Sequence, residues 1–415
     1  DLHSFPTRRS SDLWSYFEYL QGNPKVIYFD NGATSQKPKK VTDALVEYYQ
    51  YENGNPHRGA HYFAMKSTEV YEGSRERVAH FIGAKKPAEV VFLRNATEAL
   101  NLLAYSYGLY HLEYGDEILI SILEHHSNLV PWQFVAQKTG AEMVFLRPDE
   151  DMQITEEELL QKVTSRTRIF SVTAASNVVG TMPDVKTLIR KVREIAPDVC
   201  CIVDASQYVP HHKLDVTDLD CDFLVFSGHK MLSAMGIGVL YGKEERLNAM
   251  EPFFYGGDMI EYVYECKSSY LPSPQRFEAG TVNVGGAKSL AVAMDYLEAL
   301  GMDKILEYES ALMNYAYDKM KKLDDVDIYT TSNLKRSPVL SFNIKDVHPH
   351  DVASILEHYH IAVRSGHHCA QPLHRSLGMN FSCRASFAFY NTFEEIDAFI
   401  NHMEDVRRMM GLGLE

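Results

Sequence analysis

Short apolar runs alternate with helix-like segments from residue 24 to about residue 250, and this alternation limits the possible folds more than any other feature. The runs are rich in Val, Ile and Phe: VIYFD, EVVFLRN, DEILISI, AEMVFL, RIFSVTAAS, CCIVDAS and FLVFSG. Continuous apolar runs are typical of strands buried on both faces of a parallel sheet. Between two of them, PDVKTLIRKVREIAP carries apolar residues at helical spacing, with Pro183 near its start and Pro197 at its end. Repeated βαβ units predict a three-layer α/β domain with a mainly parallel sheet.

The second part of the chain has a different pattern. From about residue 296, the helical stretch AMDYLEALGMDKILEYESALMNYAYDKMKKL leads into VLSFNI, HDVASILEHYH, IAVRSG, ASFAFYN and TFEEIDAFINHMEDVRRMM. These segments predict a smaller α+β domain with two or three strands and flanking helices. We assign residues 28–295 to a large domain and 296–415 to the small one, with residues 14–27 packing against the small domain. Residues 1–13, DLHSFPTRRSSDL, have no strand or helix periodicity and no apolar signal core, so we interpret them as a tag or assembly scar.

Charge, hydropathy and cysteine usage exclude several classes of protein. The 415 residues include 41 basic and 56 acidic ones, and a net charge of −15 argues against binding nucleic acid or an anionic membrane through a broad basic face. No apolar run approaches the ~18 residues that a membrane helix needs. The six cysteines form no disulfide framework pattern and no C-x-x-C pair, which favours free thiols in a reducing cytosol over a zinc ribbon.

Polar side chains follow the apolar runs at the points where the predicted strands end. Lys230 follows FLVF in SGHKM, Asp204 follows CCIV in DASQ, and His125 follows EILISIL in EHHSN. Because open parallel sheets bind ligands at the carboxyl ends of their strands, we expect these side chains near one pocket. Each also has a structural interpretation: a lysine that reaches solvent, a carboxylate that caps a helix, or a histidine that is satisfied within a loop.

Together these residues indicate a site for an aldehyde cofactor. A lysine amine can form a Schiff base, a carboxylate can pair with a ring nitrogen, and a flat imidazole can stack on a planar ring. Thr97 begins a predicted helix, where free backbone N–H groups suit a phosphate, although a helix cap alone needs no function. Asn177, Gln207 and Ser227 also follow predicted strands. This combination fits pyridoxal 5′-phosphate, and no G-x-G-x-x-G, P-loop or H-E-x-x-H motif is present.

Eight ordered motifs carry a resemblance to a known family: YFDNGATSQKP, NPHRGAHY, EHHSNLVPW, VDASQ, SGHKM, RFEAGTVN, RSGHHCAQP and CRASFAFYNT. Together they resemble the SUF-type (group II) cysteine desulfurases, which are fold-type-I pyridoxal phosphate enzymes of the class V aminotransferase family. The resemblance runs from about residue 14 to about residue 410, and the short RSGHHCAQP loop favours the SUF branch over the long-loop ISC branch. It implies a seven-stranded type of sheet and the conversion of L-cysteine to L-alanine, with sulfur left on the enzyme.

The resemblance also implies roles for individual residues. Lys230 would hold the cofactor covalently and act in catalysis, Asp204 would pair with the ring N–H, and Gln207 would face the phenolic oxygen. His125 would stack on the ring and is the further catalytic candidate. The cofactor, mainly its phosphate, would be contacted by Ala96, Thr97, Asn177, Ser227, His229 and, from a neighbouring subunit, Thr281. The substrate would be held by Asn177, Arg384, Arg364, His57 and Arg58.

Cys369, in RSGHHCAQP, is implied to be the nucleophile that takes the substrate sulfur as a persulfide. It must be a thiolate to attack, and a nearby cation lowers the pKa of a thiol. His367, His368 and Arg364 are the local candidates for that cation. A buried structural thiol and a zinc ligand are the alternatives, but zinc has no obvious fourth ligand here, so no metal is expected.

Partners and alternative functions follow from the same resemblance. A homodimer is implied, and the sulfur acceptor would be a small protein of the SufU or SufE type. DVHPHDVA resembles the branch that uses the zinc-bearing SufU type, onto whose zinc His350 would exchange. A selenocysteine lyase or cysteine sulfinate desulfinase of the same fold is the nearest alternative, and a catalytically inactive scaffold is an alternative of another class.

The chain departs from the family pattern at three places. Ser233 and Ala234 stand where the family usually has Gly-Pro, so the loop after the lysine is expected to differ in shape. Gly32 replaces a common alanine. Asn95 and Ala96 replace Gly-Thr, which predicts the loss of one hydroxyl contact to the phosphate.

Overall fold

The computed structural model describes residues 26–333 and 335–411. The predictions for residues 1–13 and for 14–25 lie outside these ranges. The described strands, in chain order, are β1 (Ile27–Tyr28), β2 (Val90–Leu93), β3 (Glu117–Ser121), β4 (Glu142–Leu146), β5 (Thr167–Thr173), β6 (Cys200–Asp204), β7 (Phe223–Ser227), β8 (Gly238–Gly242), β9 (Ile260–Val263), β10 (Ser268–Tyr270), β11 (Val326–Ile328), β12 (Val339–Ile344), β13 (Ile361–Ala362), β14 (Arg364–Gly366) and β15 (Ser382–Ser386).

The described α-helices connect and cover these strands. They are α1 (Lys39–Glu47), α2 (Tyr62–Ile82), α3 (Ala96–Leu103), α4 (Leu109–His111), α5 (Val130–Thr139), α6 (Glu156–Lys162), α7 (Val185–Ile195), α8 (Val216–Leu219), α9 (Glu244–Asn248), α10 (Val284–Leu300), α11 (Met302–Met320), α12 (Pro349–His358), α13 (Gln371–Ser376) and α14 (Phe393–Met409). Among these helices, none is both long enough and apolar enough to span a membrane.

Seven strands form the large sheet, in the order β2-β8-β7-β6-β5-β3-β4. The neighbours from β4 to β7 run parallel, while β8 runs antiparallel to both β7 and β2. Every residue of β3, β6, β7 and β8 is buried, which explains why these strands are mainly apolar. The predicted seven-stranded, mainly parallel sheet is confirmed.

Apolar side chains cover both faces of this sheet and give the domain its three layers. Alternate residues of β6 belong to separate apolar clusters, Cys200 and Ile202 to one and Cys201 and Val203 to the other. This division is expected because successive side chains of a strand point to opposite faces. Helices pack on each face, so the sheet is buried between two helical layers, as predicted.

Several strands differ from the sequence prediction, which also lacks β9, β10 and β11. The run VIYFD, predicted together with the strands of the large domain, contributes only β1, which pairs in parallel with β13. The strand β8 was not predicted, because Gly238 and Gly242 bound a short run. Gly238 is required by close packing, since a Cβ there would lie 2.5 Å from the Cα atom of Asn95.

The C-terminal part forms a second sheet of four antiparallel strands, in the order β11-β12-β15-β14, as an α+β unit.

The predicted strand ASFAFYN is shifted, because β15 ends at Ser386 and the next residues form a loop. The long helical stretch predicted from about residue 296 is two helices, α10 and α11, separated at Gly301. The predicted domain boundary between residues 295 and 296 lies inside α10, which packs against α1 and α2.

A buried ion pair fixes α2 against the edge of the large sheet. The side chains of Arg75 and Glu278 are 1% and 2% exposed, with Arg75 Nη1 2.7 Å from Glu278 Oε1. The same carboxylate accepts hydrogen bonds from the Tyr71 hydroxyl at 2.9 Å and from the Phe92 backbone N–H at 2.7 Å. Glu278 therefore accepts hydrogen bonds from three residues that lie on two different elements, α2 and β2.

We expect Glu278→Gln to lower the free energy of unfolding by about 3 kcal/mol, because it removes the buried partner of the Arg75 charge and leaves only the partly exposed Glu72. Urea denaturation followed by circular dichroism measures this loss. The matched control is Glu298→Gln, whose carboxylate binds Arg77 at the surface and should cost less than ~1 kcal/mol. If the two variants lost the same free energy of unfolding, burial of the Arg75–Glu278 pair would not explain its contribution to stability.

Candidate active site

A cavity of about 330 Å³ lies where the carboxyl ends of β5, β6 and β7 face the small domain. Most of the predicted site residues line it. The large domain contributes Ala96, Thr97, His125, Asn177, Asp204, Gln207, Ser227, His229 and Lys230. The small domain contributes Arg364, Cys369 and Arg384. Residues that are distant in sequence therefore meet in one cavity, as the strand-end argument predicted.

Three predicted residues do not line the cavity of their own chain. His57 Nε2 lies 2.9 Å from Glu72 Oε1, and Arg58 Nε lies 3.0 Å from Asp258 Oδ1. Thr281 lines a separate depression. The role of Thr281 in a neighbouring subunit stays a prediction.

The cavity also includes residues to which the sequence analysis gave no role: Gly32, Ala33, Ser127, Thr173, Ala175 and Ser206. Two features of the sequence, the quoted motifs and the ends of predicted strands, point to three of these residues. Ser127 and Ser206 lie inside the motifs EHHSN and DASQ, and Thr173 is the last residue of β5. The strand-end rule therefore extends to Thr173.

Lys230 ends the short 3-10 turn Gly228–Lys230, which follows β7 directly. Burial lowers the pKa of the Lys230 amine from 10.5 to about 8, and the charge of Arg384 acts in the same direction. The carboxylate of Asp204 and a thiolate at Cys369 oppose this lowering of the pKa. At neutral pH, far more of this amine is unprotonated than in an exposed lysine, which suits a nucleophile or base.

The two histidines beside Lys230 are held neutral. Burial lowers the pKa of His125 to about 3, with a further contribution from the charge of Lys230. Burial lowers the pKa of His229 to about 4, assisted by Lys230 and Lys37. The Ser127 backbone N–H donates to His125 Nδ1 at 3.1 Å, so the proton of this neutral ring resides on Nε2.

The loop that carries Cys369 has a strained backbone. His368 and Cys369 adopt left-handed φ angles of 49° and 54°, which are costly for side chains other than glycine. Contacts from the large domain hold this conformation. The His126 backbone N–H donates to the Cys369 carbonyl at 2.7 Å, and Asn177 Nδ2 donates to the His368 carbonyl at 2.7 Å. The exposed thiol is thus presented at the cavity by a fixed backbone.

His368 is not the cation that we expected beside the thiol. Burial lowers the pKa of His368 to about 2, and the charge of Arg384 lowers it further. Its Nε2 atom lies 3.1 Å from the Ser382 carbonyl oxygen, so the ring is engaged in the small domain. The cationic side chains that share the cavity with Cys369 are Lys230, Arg384 and Arg364, the last of which was expected.

The two arginines share one carboxylate. Arg364 and Arg384 are directly opposite each other on β14 and β15. Arg364 donates from Nε and Nη2 to Asp30 at 3.0 and 2.8 Å. Arg384 donates from Nη2 to Asp30 at 3.4 Å and from Nη1 to the Asn177 carbonyl at 3.0 Å. Asp30 belongs to the motif YFDNGAT, but the motif alone indicates no role for it.

The departures from the family pattern have local structural explanations. Ser233 Oγ lies 2.8 Å from Ser289 Oγ, and the Ala234 N–H donates to the same oxygen at 3.2 Å, a bond that proline cannot make. Asn95 caps α3 by accepting from the Glu98 N–H. A Cβ at residue 32 would lie only 3.3 Å from the Arg384 guanidinium carbon, so Gly32 leaves that group more room.

Comparison with known proteins places the chain in a family. A family model described as aminotransferase class-V matches residues 27–399, which is most of the chain. The chain belongs to the aminotransferase class-V family.

Two curated relatives of this class-V chain are a probable cysteine desulfurase from Streptomyces coelicolor and a cysteine desulfurase from Haloferax volcanii. The first is 44% identical over 93% of both chains, and the second is 42% identical over 96% of this chain and 93% of the relative.

Solved structures of class-V relatives share the fold. A cysteine desulfurase from Thermococcus onnurineus is 39% identical and superposes with a TM-score of 0.91 over 96% of this chain and 98% of its own. The cysteine desulfurase CsdA from Escherichia coli is 36% identical, with a TM-score of 0.89 over 96% and 98% of the two chains. The predicted fold type I is confirmed, and the chain is a homologue of cysteine desulfurases.

We expect the Lys230 amine, in protein freed of bound carbonyl compounds, to be acetylated with a pH midpoint near 8, because burial lowers its pKa to about 8. Mass spectrometry of peptides labelled between pH 6 and pH 11 measures this midpoint. Lys86 is the internal control, because its bond to Glu244 raises its pKa above the usual value. In Asp204→Asn, the midpoint for Lys230 should fall below 8, and an unchanged or higher midpoint would contradict the assigned electrostatics.

Proposed function

We propose that this chain is a pyridoxal phosphate-dependent cysteine desulfurase of the SUF type, which converts L-cysteine to L-alanine and leaves the sulfur as a persulfide on Cys369. The observation that carries the proposal is the meeting of Cys369 and Lys230 in one cavity, although they come from different domains. Relatives named cysteine desulfurase at 42–44% identity favour cysteine as the substrate over selenocysteine or cysteine sulfinate.

The residues of the cavity fit pyridoxal phosphate. The Lys230 amine has a lowered pKa and lies in the same cavity as the Asp204 carboxylate. Ser206 Oγ also belongs to this cavity, is buried, and has no hydrogen-bond partner among the described residues, so it is available to a polar ligand. The cavity volume, about 330 Å³, is in the range of small-molecule sites.

In the proposed holoenzyme, Lys230 would hold the cofactor, Asp204 would pair with its ring nitrogen and His125 would cover its ring. Its phosphate would be bound by residues of the same cavity: Ala96, Thr97, Ser206, Ser227 and His229. The bound cofactor supplies an electron sink for the substrate Cα. His125 and His229 are neutral at neutral pH, because burial lowers their pKa values to about 3 and about 4.

The protein groups then move protons and one sulfur atom. Arg384 and Arg364 bind the substrate carboxylate, and the Lys230 amine takes the proton from Cα. The Cys369 thiolate forms an S–S bond to the substrate sulfur as the substrate Cβ–S bond breaks. The electron pair of the broken bond stays with the three-carbon fragment, which takes up one proton at Cβ, regains the proton at Cα and leaves as L-alanine. No external oxidant or reductant is consumed.

The proposal includes transfer of the sulfur to a small acceptor protein of the SufU type. His350 is exposed in the first turn of α12. The nearby His348 ring lies 5.6 Å from the Phe381 ring, which in turn lies 6.4 Å from the ring of His367 in the Cys369 loop. These contacts support an acceptor that reaches Cys369 and His350 from the same side.

A homodimer in the cytoplasm is also part of the proposal. Five large apolar side chains between residues 49 and 65 are 48–67% exposed, and such exposure is typical of protein interfaces: Tyr49, Tyr51, Tyr62, Phe63 and Met65. A second subunit is needed to give Thr281, His57 and Arg58 their proposed roles, because none lines the cavity of its own chain. All six cysteines are free thiols, which favours a reducing compartment.

We expect Cys369→Ala to reduce both alanine and sulfide formation from L-cysteine by more than 100-fold, because the attacking sulfur is lost. The visible absorption of the bound cofactor should be retained, because Cys369 does not hold the cofactor. The matched control is Cys266→Ala, which removes the other exposed cysteine and should leave turnover unchanged. Unchanged turnover in Cys369→Ala, or a wild-type protein that cannot be loaded with pyridoxal phosphate, would overturn the proposal.

We expect a SufU-like protein to increase turnover of the wild-type enzyme by at least tenfold, and His350→Ala to abolish this increase while keeping basal turnover. His358→Ala, which changes an exposed histidine at the other end of α12, is the control and should keep the increase. Stimulation by a SufE-like protein alone would show that the acceptor is of the other type.

A further inference from the structure

Two guanidinium groups lie next to each other at the cavity, and a single carboxylate stands between them. Arg364 and Arg384 are cross-strand partners, a position in which like charges destabilise a sheet. Asp30 Oδ2 lies 2.8 Å from Arg364 Nη2, and Asp30 Oδ1 lies 3.4 Å from Arg384 Nη2. Two positive charges and one negative charge leave a net charge of +1, which one further carboxylate neutralises.

The hydrogen bonds of Asp30 leave specific donors of both arginines available. Asp30 takes the Nε and Nη2 edge of Arg364, so the Nη1 and Nη2 end of that guanidinium can still bind a second carboxylate. Arg384 is 2% exposed, and its Nε atom is buried without a hydrogen-bond partner in the described part of the chain. Asp30 therefore fixes both groups without using up their donors.

Asp30 itself is held firmly. Its backbone forms a parallel bridge to Ser386 at the end of β15. The Ser386 N–H donates to the Phe29 carbonyl at 2.6 Å, and Asn31 Nδ2 donates to the Ser386 carbonyl at 2.8 Å. These bonds attach the segment around Asp30 to the strand that carries Arg384, so the carboxylate and this guanidinium keep a fixed relative position.

We infer that Asp30 is a positioning residue, which aligns Arg364 and Arg384 to receive the carboxylate of an amino-acid substrate. The inference rests on the proposed function for the identity of that substrate. Without Asp30, the two cations repel each other, and the half-exposed Arg364 side chain is free to turn into solvent. The carboxylate of the substrate then meets one anchored arginine instead of two.

The test is Asp30→Asn in the holoenzyme, with steady-state kinetics on L-cysteine and calorimetry with the product L-alanine. An asparagine has one acceptor oxygen and presents N–H groups to guanidinium donors, so it cannot bridge the pair. We expect KM for L-cysteine and Kd for L-alanine to rise at least tenfold, with kcat at saturation reduced less than threefold. Asp30→Glu, which keeps the charge but displaces it by one methylene, should give a smaller rise.

The matched control is Asp43→Asn, which removes the same charge from the exposed surface of α1 and should leave both constants unchanged. A fall in KM would mean that Asp30 competes with the substrate, and unchanged constants would mean that it does not position the arginines. A loss of cofactor binding, or a fall in kcat in both Asp30 variants without a rise in Kd, would indicate a merely structural role. Each of these results overturns the inference. If the wild-type enzyme forms no L-alanine, the proposed function fails, whereas L-alanine calorimetry still tests Asp30.

Discussion

The parallel direction of β3, β5, β6 and β7 is the constraint on which the site depends. Because these strands end at the same edge of the sheet, the polar residues at their ends lie next to one another along that edge. They are Thr173 from β5, Asp204 from β6, and Ser227 with Lys230 after β7. The small domain needs only to face this edge to add Cys369 and the two arginines. A sulfur atom and an amine that are 139 residues apart in the sequence (369 − 230) thereby share one cavity.

Some titratable side chains of the cavity are charged at neutral pH and others are neutral. Burial determines which of them are neutral. The histidines are neutral because burial lowers their pKa values well below neutrality, so they act as flat or hydrogen-bonding surfaces. The arginines stay charged, and Asp30 compensates one of their two charges. Lys230 lies between these extremes, since its pKa of about 8 lets it exist in both protonation states near neutral pH. Binding an anion and moving a proton are therefore assigned to different residues.

The sequence predicted most of the large sheet because the central strands β3, β6 and β7 are buried on both faces and are therefore mainly apolar. The strand β8 was not predicted because it begins and ends with glycine, and Gly238 is needed where the backbone packs closely against Asn95. The run VIYFD was misassigned because its pairing partner is 334 residues away (361 − 27). The cavity residues at strand ends were predictable from the same pattern. The neutrality of His368 was not, because it depends on burial and on the neighbouring Arg384, which are tertiary features. The position of Asp30 between two arginines is hidden from the sequence for the same reason.

The pairing of β1 with β13 has a consequence for how the polypeptide is made. A ribosome that adds about 10 residues per second needs roughly half a minute to progress from Ile27 to Ile361. During this interval the N-terminal strand has no edge to join, while the large sheet between them can already assemble. The C-terminal unit is thus joined by a segment synthesised 334 residues earlier (361 − 27), so this pairing forms late and links two distant parts of the nascent chain.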